Sequence, residues 1–406
     1  MITTIEVTNF KCLANLKIDL GPFNVFIGPN DSGKSSALDA LHMLGRTVKE
    51  PFTSVFSGRE SLDELMWKKA QLPQIQFKVS GIANDASFTY TLVLSPGQAR
   101  PEHEALHVGS SILLHYNGGR AQVGTQNIPV EVVSGIGGRP PIRMPGTPAP
   151  LPGNLSLLGF CLKDPVRFKD VTPTLQPIAQ TISSSIKYCL EPRNLRNDSN
   201  LVPRPELDSS GNNLPSVLDA IISGPDRSAI LEIERQLHET IPTLSGVSIP
   251  TKAQPPNNAV KTLEFVIANG KPPATIPAAL ASDGALLTTA FLALAYGNTP
   301  AILLVEEPEN GLHPSRLKLV IDLLKKVSSG EVGNRARQVI LTTHSPVLLN
   351  FVKPEEVRIF ARTQNGETHV VPMSEVKGIE SLLSDYGVGE LWYLLGEEGL
   401  LKEQPA

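Results

Sequence analysis

Hydrophobic and polar positions alternate with a period of two over residues 2–10 and 16–20, as in strands with one buried face. Phe23-Asn24-Val25-Phe26-Ile27 is a short apolar run that stops at Gly28, the pattern of a buried strand feeding a loop. Behind it, Ala37, Leu38, Leu41 and Leu44 fall at helical spacing. Residues 74–82 and 88–94 predict two strands joined by a polar turn. The stretch 164–238 reads as helical pieces, clearest over 214–222 and 227–237. From about Lys261 strands and helices alternate again: strand 262–268, helix 284–295, strand 301–305, helix 314–327, strand 338–342. A last strand pair is expected at 357–361 and 369–371, before an amphipathic segment around Trp392 that packs on the body. No heptad run or internal repeat occurs, so no long coiled-coil arm is expected.

Between 135 and 153 the composition changes, with Pro140, Pro141, Pro145, Pro148, Pro150 and Pro152 in close succession. No helix tolerates that density of proline, so a surface connection is expected there. The implied organisation is an N-terminal part over 1–135, a Pro-rich loop and helical insertion over 136–250, and a C-terminal part over 251–406. The 406 residues suffice for one large or two ordinary domains, and 41% hydrophobic with 19% charged residues fits a globular protein. The net charge of −4 gives no global basic field for nucleic acid, though a local groove stays open. Cys12, Cys161 and Cys189 have neither zinc spacing nor an even disulfide framework, and read as reduced thiols. The start lacks the regions of a signal peptide, and the longest apolar stretch, 285–296, is too short for a bilayer. A cytoplasmic protein without membrane partners is expected.

Gly28-Pro29-Asn30-Asp31-Ser32-Gly33-Lys34-Ser35 satisfies G-x-x-x-x-G-K-[ST] between an expected strand and an expected helix. Glycines permit a tight turn whose N–H groups converge on one anion, and the helix N-terminus adds positive potential. Lys34 is placed to bridge β- and γ-phosphates, and Ser35 to hold Mg²⁺ through its hydroxyl. The adjoining Ser36 extends this set.

A second constellation lies far downstream. Residues 302–305 are an apolar strand ending in Glu306 and Glu307. Two adjacent acids at such a position are costly to desolvate unless they meet a cation or move a proton. Glu306 is the candidate for orienting Mg²⁺, and Glu307 for polarising the attacking water. Ser282-Asp283-Gly284 opens a helix, which makes either an ordinary cap or a second anion nest. His344, ending the strand 338–342 within Thr343-His344-Ser345-Pro346, is a candidate γ-phosphate sensor or a structural histidine. Arg193, Arg196 and Arg204 read as a solvated loop cluster.

In this order the motifs resemble those of non-transporter ATP-binding-cassette (ABC) ATPases, the heads of Rad50, RecF and SMC proteins. The resemblance is strongest to the OLD (overcoming lysogenization defect) family and the related AAA15 and AAA21 ATPases. It is carried by residues 5–44 with Asn9-Phe10-Lys11, by Ser282 to Gly284, by Glu306-Glu307-Pro308-Glu309-Asn310-Gly311-Leu312-His313-Pro314, and by Thr343 to Pro346. Asp208-Ser209-Ser210-Gly211-Asn212-Asn213-Leu214 is similar to a Gly-Asn-Leu segment of the same group, whereas 45–200 matches weakly. The implied fold is α/β: a P-loop NTPase head with a β-rich N-terminal lobe, a mixed sheet core and a helical insertion.

The resemblance also implies a mechanism. Two heads sandwich two ATP molecules with Mg²⁺. Each site combines the phosphate loop, Glu306, Glu307 and His344 of one head with Ser282, Asp283 and Gly284 of the other. Glu306 stands where most cassette ATPases have Asp, and the signature reads Ser-Asp-Gly where Ser-Gly-Gly is commoner. Gln71, Gln74 and Gln76 are equal candidates for the Mg²⁺-sensing glutamine. OLD proteins carry a TOPRIM nuclease domain after the His strand, whereas here about 60 residues follow His344. The expected function is an ATPase acting on DNA or controlling a separately encoded nuclease or toxin, as in defence against phage. The alternatives are an ATP-sensing scaffold holding such a partner inactive, or a RecF-like repair ATPase. No Asn-Lys-x-Asp guanine motif occurs.

Overall fold

The computed structural model describes residues 1–97, 101–128, 151–152, 154–225, 227–254, 258–268, 274–333 and 335–401. Apart from 151–152, the Pro-rich stretch up to residue 150 and Gly153 lie outside the described residues, as does the tail beyond 401. The chain forms two compact units: Met1–Gly21, Asp31–Ser185 and Phe360–Val370 in one, Pro22–Asn30, Ile186–Ile359 and Val371–Ala406 in the other.

Strands β1 (Ile2–Phe10) and β2 (Leu13–Asp19) form an antiparallel pair, and β3 (Phe23–Ile27) leads to helix α1 (Lys34–Lys49). In the first unit β1 also pairs with β4 (Ile75–Ala83), which continues into β5 (Ala86–Leu94), β6 (His103–Val108), β7 (Ser111–Asn117), β8 (Arg120–Val123) and β9 (Gln126–Ile128). The result is an eight-stranded sheet of order β2-β1-β4-β5-β6-β7-β8-β9. Alternate residues of β4 and β5 are buried, which fits a sheet with one covered face. Registered opposite each other, Glu6 and Lys78 form an ion pair at 3.1 Å. The strands β6 to β9 are additional to the expected pair. Helices α2 (Leu157–Lys163) and α3 (Thr172–Ser183) complete the unit and pack against each other and against α1.

Glu104 of β6 is completely buried in this unit. Its Oε1 accepts from the Tyr90 hydroxyl at 3.0 Å and the Leu158 amide at 2.9 Å, and its Oε2 accepts from the Leu157 amide at 2.6 Å. Burial pushes its pKa up to about 7 against these bonds, which favour the ionised form. An acid whose pKa rises on folding stabilises the native state fully below its unfolded pKa near 4.5, and that stability is lost as pH rises through about 7. Urea unfolding at pH 4.5 and 7.5 is expected to show a decline on the order of 3 kcal/mol from this group. Glu104→Ala is expected to flatten the decline and to destabilise the protein at both pH values, because three buried donors lose their acceptor.

The second unit holds an extended apolar core. A six-stranded sheet, most of whose residues belong to this unit, is formed by β3, β10 (Ser185–Tyr188), β11 (Ile302–Glu306), β12 (Gln338–Thr343), β13 (Val357–Arg362) and β14 (Thr368–Pro372). The order is β10-β11-β12-β3-β13-β14. Every residue of β3 and β12 is buried, as expected of inner parallel strands covered on both faces. Helix α4 (Leu214–Ile222) and α5 (Ser228–Thr240) precede α6 (Asp283–Tyr296), which is buried around its whole circumference from Gly284 to Ala295. That explains its uniformly apolar sequence. Helix α7 (Pro314–Ser329) follows β11. Two three-stranded sheets lie in sequence between β10 and α6, and the expected strand 262–268 is found as Glu264–Ile267 in one of them, while Asn258–Lys261, just before it, belongs to the other. The Asp208 turn before α4 is closed by its own side chains: Asp208 Oδ1 accepts from the amides of Ser210 and Asn212 at 3.1 and 2.9 Å. Trp392 is 9% exposed, so the C-terminal segment packs on the core as expected.

Candidate functional site

Strands β3, β12 and β11 run parallel, with Ile27 opposite Thr343 and Thr342 opposite Glu306. Their carboxyl ends therefore coincide. Gly28, the Glu306-Glu307 pair and His344 all leave the same edge of the second unit's sheet, the edge where open α/β sheets bind ligands. Gly28 is buried, Pro29 half-buried and Asn30 exposed.

From Asp31 onward the phosphate loop belongs to the first unit. Asp31 has φ 63° and Gly33 φ 104°, so the chain reverses tightly before α1 begins at Lys34. Lys34 is only 6% exposed, Ser35 is exposed and Ser36 half-buried. No side chain caps α1 and its first turn contains no acid, so its N-terminal potential is uncompensated. Ser32 is fully buried and its Oγ has no partner. A Cβ on Gly33 would collide with Thr368 Oγ1 and come within 3.1 Å of Leu13 Cδ2. These features fit an anion cradle at a helix N-terminus.

At the end of β11, Glu306 Oε2 lies 3.1 Å from the Lys187 ammonium on the neighbouring β10. The carboxylate thus already faces a cation. Glu307 sits in the left-handed region at φ 44°, and its amide donates to the Thr342 carbonyl at 3.0 Å. Its two oxygens are both engaged: Oε1 is 3.2 Å from His344 Nδ1, and Asn310 Nδ2 donates to Oε2 at 2.7 Å. Glu309 braces the same corner. Its Oε1 accepts from Thr343 Oγ1 at 2.5 Å and the His344 amide at 3.3 Å, and its Oε2 is buried without a partner. Burial raises the Glu309 pKa. Among the described residues no cluster of three or more His, Cys, Asp or Glu side chains forms a metal cage. Mg²⁺ needs only one or two protein oxygens when phosphates supply the rest, and Ser35 and Glu306 are hard oxygen donors of that kind.

Ser282 caps α6, accepting from the Ala285 amide at 3.3 Å. Ser282 and Asp283 are exposed, and Gly284 is buried. Arg196 reaches this corner, donating to the Ala281 carbonyl at 2.9 Å and to Asp283 Oδ1 at 2.7 Å. The space beside Gly284 is filled by the Arg316 guanidinium, with which a Cβ would collide.

The partners of these motifs were not foreseen. Lys187, Arg196, Arg316, Arg362 and Thr368 are far in sequence from the groups they meet and obey no spacing rule. For Arg196 the reading as a solvated cluster was incomplete, whereas Arg193 pairs locally with Glu191. Of the candidate glutamines, Gln74 donates to Glu102, Gln76 sits within β4, and Gln71 is exposed.

A family model described as "AAA domain, putative AbiEii toxin, Type IV TA system" matches residues 168–350, and one described as "AAA ATPase domain" matches residues 1–86. The chain is 30% identical over 120 residues to the DNA replication and repair protein RecF of Lactococcus lactis subsp. lactis, over 29% of this chain and 30% of RecF. It is 25% identical over 130 residues to the OLD nuclease of Thermus scotoductus, over 31% of this chain and 24% of the nuclease. The match therefore spans less than a third of either relative. An SMC head solved with the C-winged helix domain of ScpA superposes with a TM-score of 0.51 at 12% identity, covering 91% of this chain and 97% of that one. That likeness supports the head fold. No helix among the described residues is long and apolar enough to cross a membrane. The two family models and the RecF and OLD relatives support an ABC-type ATPase of the OLD and RecF type, and the SMC head supports its fold.

Proposed function

We propose that this chain binds and hydrolyses ATP, and that two copies close around two ATP molecules to do so. The observation that carries the reading is the shared carboxyl edge of β3, β11 and β12, with Glu307 fixed between His344 and Asn310. Glu307 takes a proton from water as the water oxygen bonds to the γ-phosphorus and the bond to the β–γ bridging oxygen breaks, leaving ADP and phosphate. His344 holds the Glu307 carboxylate in register and faces the γ-phosphate. The amides of residues 28 to 36 and the Lys34 ammonium bind the phosphate oxygens. Ser35 and Glu306 would hold Mg²⁺, which would offset phosphate charge.

Ser282, Asp283 and Gly284 serve the ATP of the partner head. Ser282 is exposed at a helix N-terminus, which supports this assignment. We further propose that closure controls a separately encoded effector, a nuclease or toxin, or acts on DNA, in a cytoplasmic defence system against phage. The relatives support that range: one is a repair protein, one a nuclease, and one family description names a toxin.

Mixing tests the composite site. Lys34→Ala and Ser282→Arg chains are each expected to be inactive alone. Mixed in equal amounts they are expected to recover about a quarter of parental phosphate release, because a mixed dimer regains one intact site. Two inactive variants that fail to complement, while still forming mixed dimers, would remove the shared-site reading.

A further inference from the structure

The β13–β14 hairpin holds the phosphate loop from outside. Arg362 Nε, at the end of β13, donates to the Asp31 carbonyl at 2.7 Å. Thr368 Oγ1, at the start of β14, donates to the Ser32 carbonyl at 3.0 Å. The two bonds take consecutive carbonyls of one loop, and both span more than 330 residues of sequence. All four residues belong to the first unit.

A trans peptide is planar, with its C=O and N–H pointing in opposite directions. Fixing the Asp31 carbonyl toward the hairpin therefore turns the Ser32 amide the other way, and fixing the Ser32 carbonyl does the same for the Gly33 amide. Two successive amides so directed are the anion-binding half of a nest. The hairpin is itself braced. Arg362 Nη1 donates to the Gly366 carbonyl at 3.1 Å, closing the turn, and Lys69 Nζ donates to the Asn365 carbonyl at 2.8 Å. Thr368 also occupies the space that a side chain at residue 33 would need.

We propose that Arg362 and Thr368 are positioning residues for phosphate binding, which set the orientation of the loop amides without touching the nucleotide. The inference rests on the reading of the loop as a triphosphate site. Its consequence is selective: the benefit scales with the number of phosphates that the loop grips.

The test is calorimetric binding of MgATP, MgADP and AMP to the full chain and to Thr368→Val, which keeps the methyl against Gly33 and removes the hydroxyl. Losing the bond is expected to weaken MgATP about 3- to 10-fold and AMP by less than about twofold. Thr368→Ser is expected to restore MgATP binding, and the nucleotide-free melting temperature of Thr368→Val is expected to stay close to that of the parent. Arg362→Met is expected to act in the same direction. Unchanged MgATP affinity in both variants would overturn the proposal. So would an equal loss for MgATP and AMP, or a loss that serine does not restore. Failure of the unsubstituted chain to bind MgATP would instead overturn the triphosphate reading itself.

Discussion

Replacing Glu307 with Gln is expected to lower steady-state phosphate release by about 10²- to 10⁴-fold, the range that a general base contributes. The amide is nearly isosteric: its carbonyl oxygen can still accept from Asn310 Nδ2 while its NH2 donates to a neutral His344 Nδ1, and the left-handed backbone at φ 44° is unaltered. What is lost is the capacity to accept a proton. Binding of MgATP is therefore expected to stay within about threefold of the parent, since the phosphate loop is untouched. With binding intact and turnover stopped, ATP-dependent dimers are expected to accumulate, as measured by light scattering after size exclusion. Hydrolysis at the parental rate would show that another group takes the proton.

Gly33→Ala is expected to weaken MgATP binding by at least about 100-fold, equivalent to about 2.7 kcal/mol. Two costs combine. A non-glycine residue at φ 104° lies outside the allowed left-handed region, a strain of about 1–3 kcal/mol. The new Cβ would also collide with Thr368 Oγ1, so the loop or the hairpin must shift just where the Ser32 carbonyl is held. Gly58→Ala is the matched control. Gly58 also has positive φ, at 59°, but a Cβ there meets nothing within 4 Å. That substitution is expected to cost about 1 kcal/mol in urea unfolding and to leave nucleotide affinity unchanged. Equal nucleotide affinity in the two variants would detach Gly33 from the binding site.

The parts of the fold that were legible in the sequence are those where one local rule dominates. The run 23–27 is buried on both faces and contains almost only apolar residues, and α1 and α7 carry clear helical spacing. The strands of 103–128 were not legible. Their patterns are interrupted by Glu104, which is buried because Tyr90 and two amides satisfy it, and by the tight turns at Gly109, Gly118-Gly119 and Gly124. The motifs of the candidate site were legible because backbone chemistry demands their glycines and acids at fixed spacing. Their supports were not. Lys187 meets Glu306 because β10 and β11 are neighbours in the sheet, and Arg316 reaches Gly284 from another helix. Such meetings are set by topology, and no window of sequence contains both partners.

The position of β3 has a consequence for synthesis. The strand that launches the phosphate loop is made long before β12 and β13, yet it lies between them. The Asn24 side-chain Nδ2, for example, donates to the Val339 carbonyl, 315 residues downstream. At about 5–20 residues per second, a ribosome needs roughly 15 to 60 seconds to cover that interval. During that time a largely apolar segment waits without its neighbours, exposed to aggregation and to chaperones. The nascent chain therefore gains its grip on nucleotide only after β12 and β13 have been made.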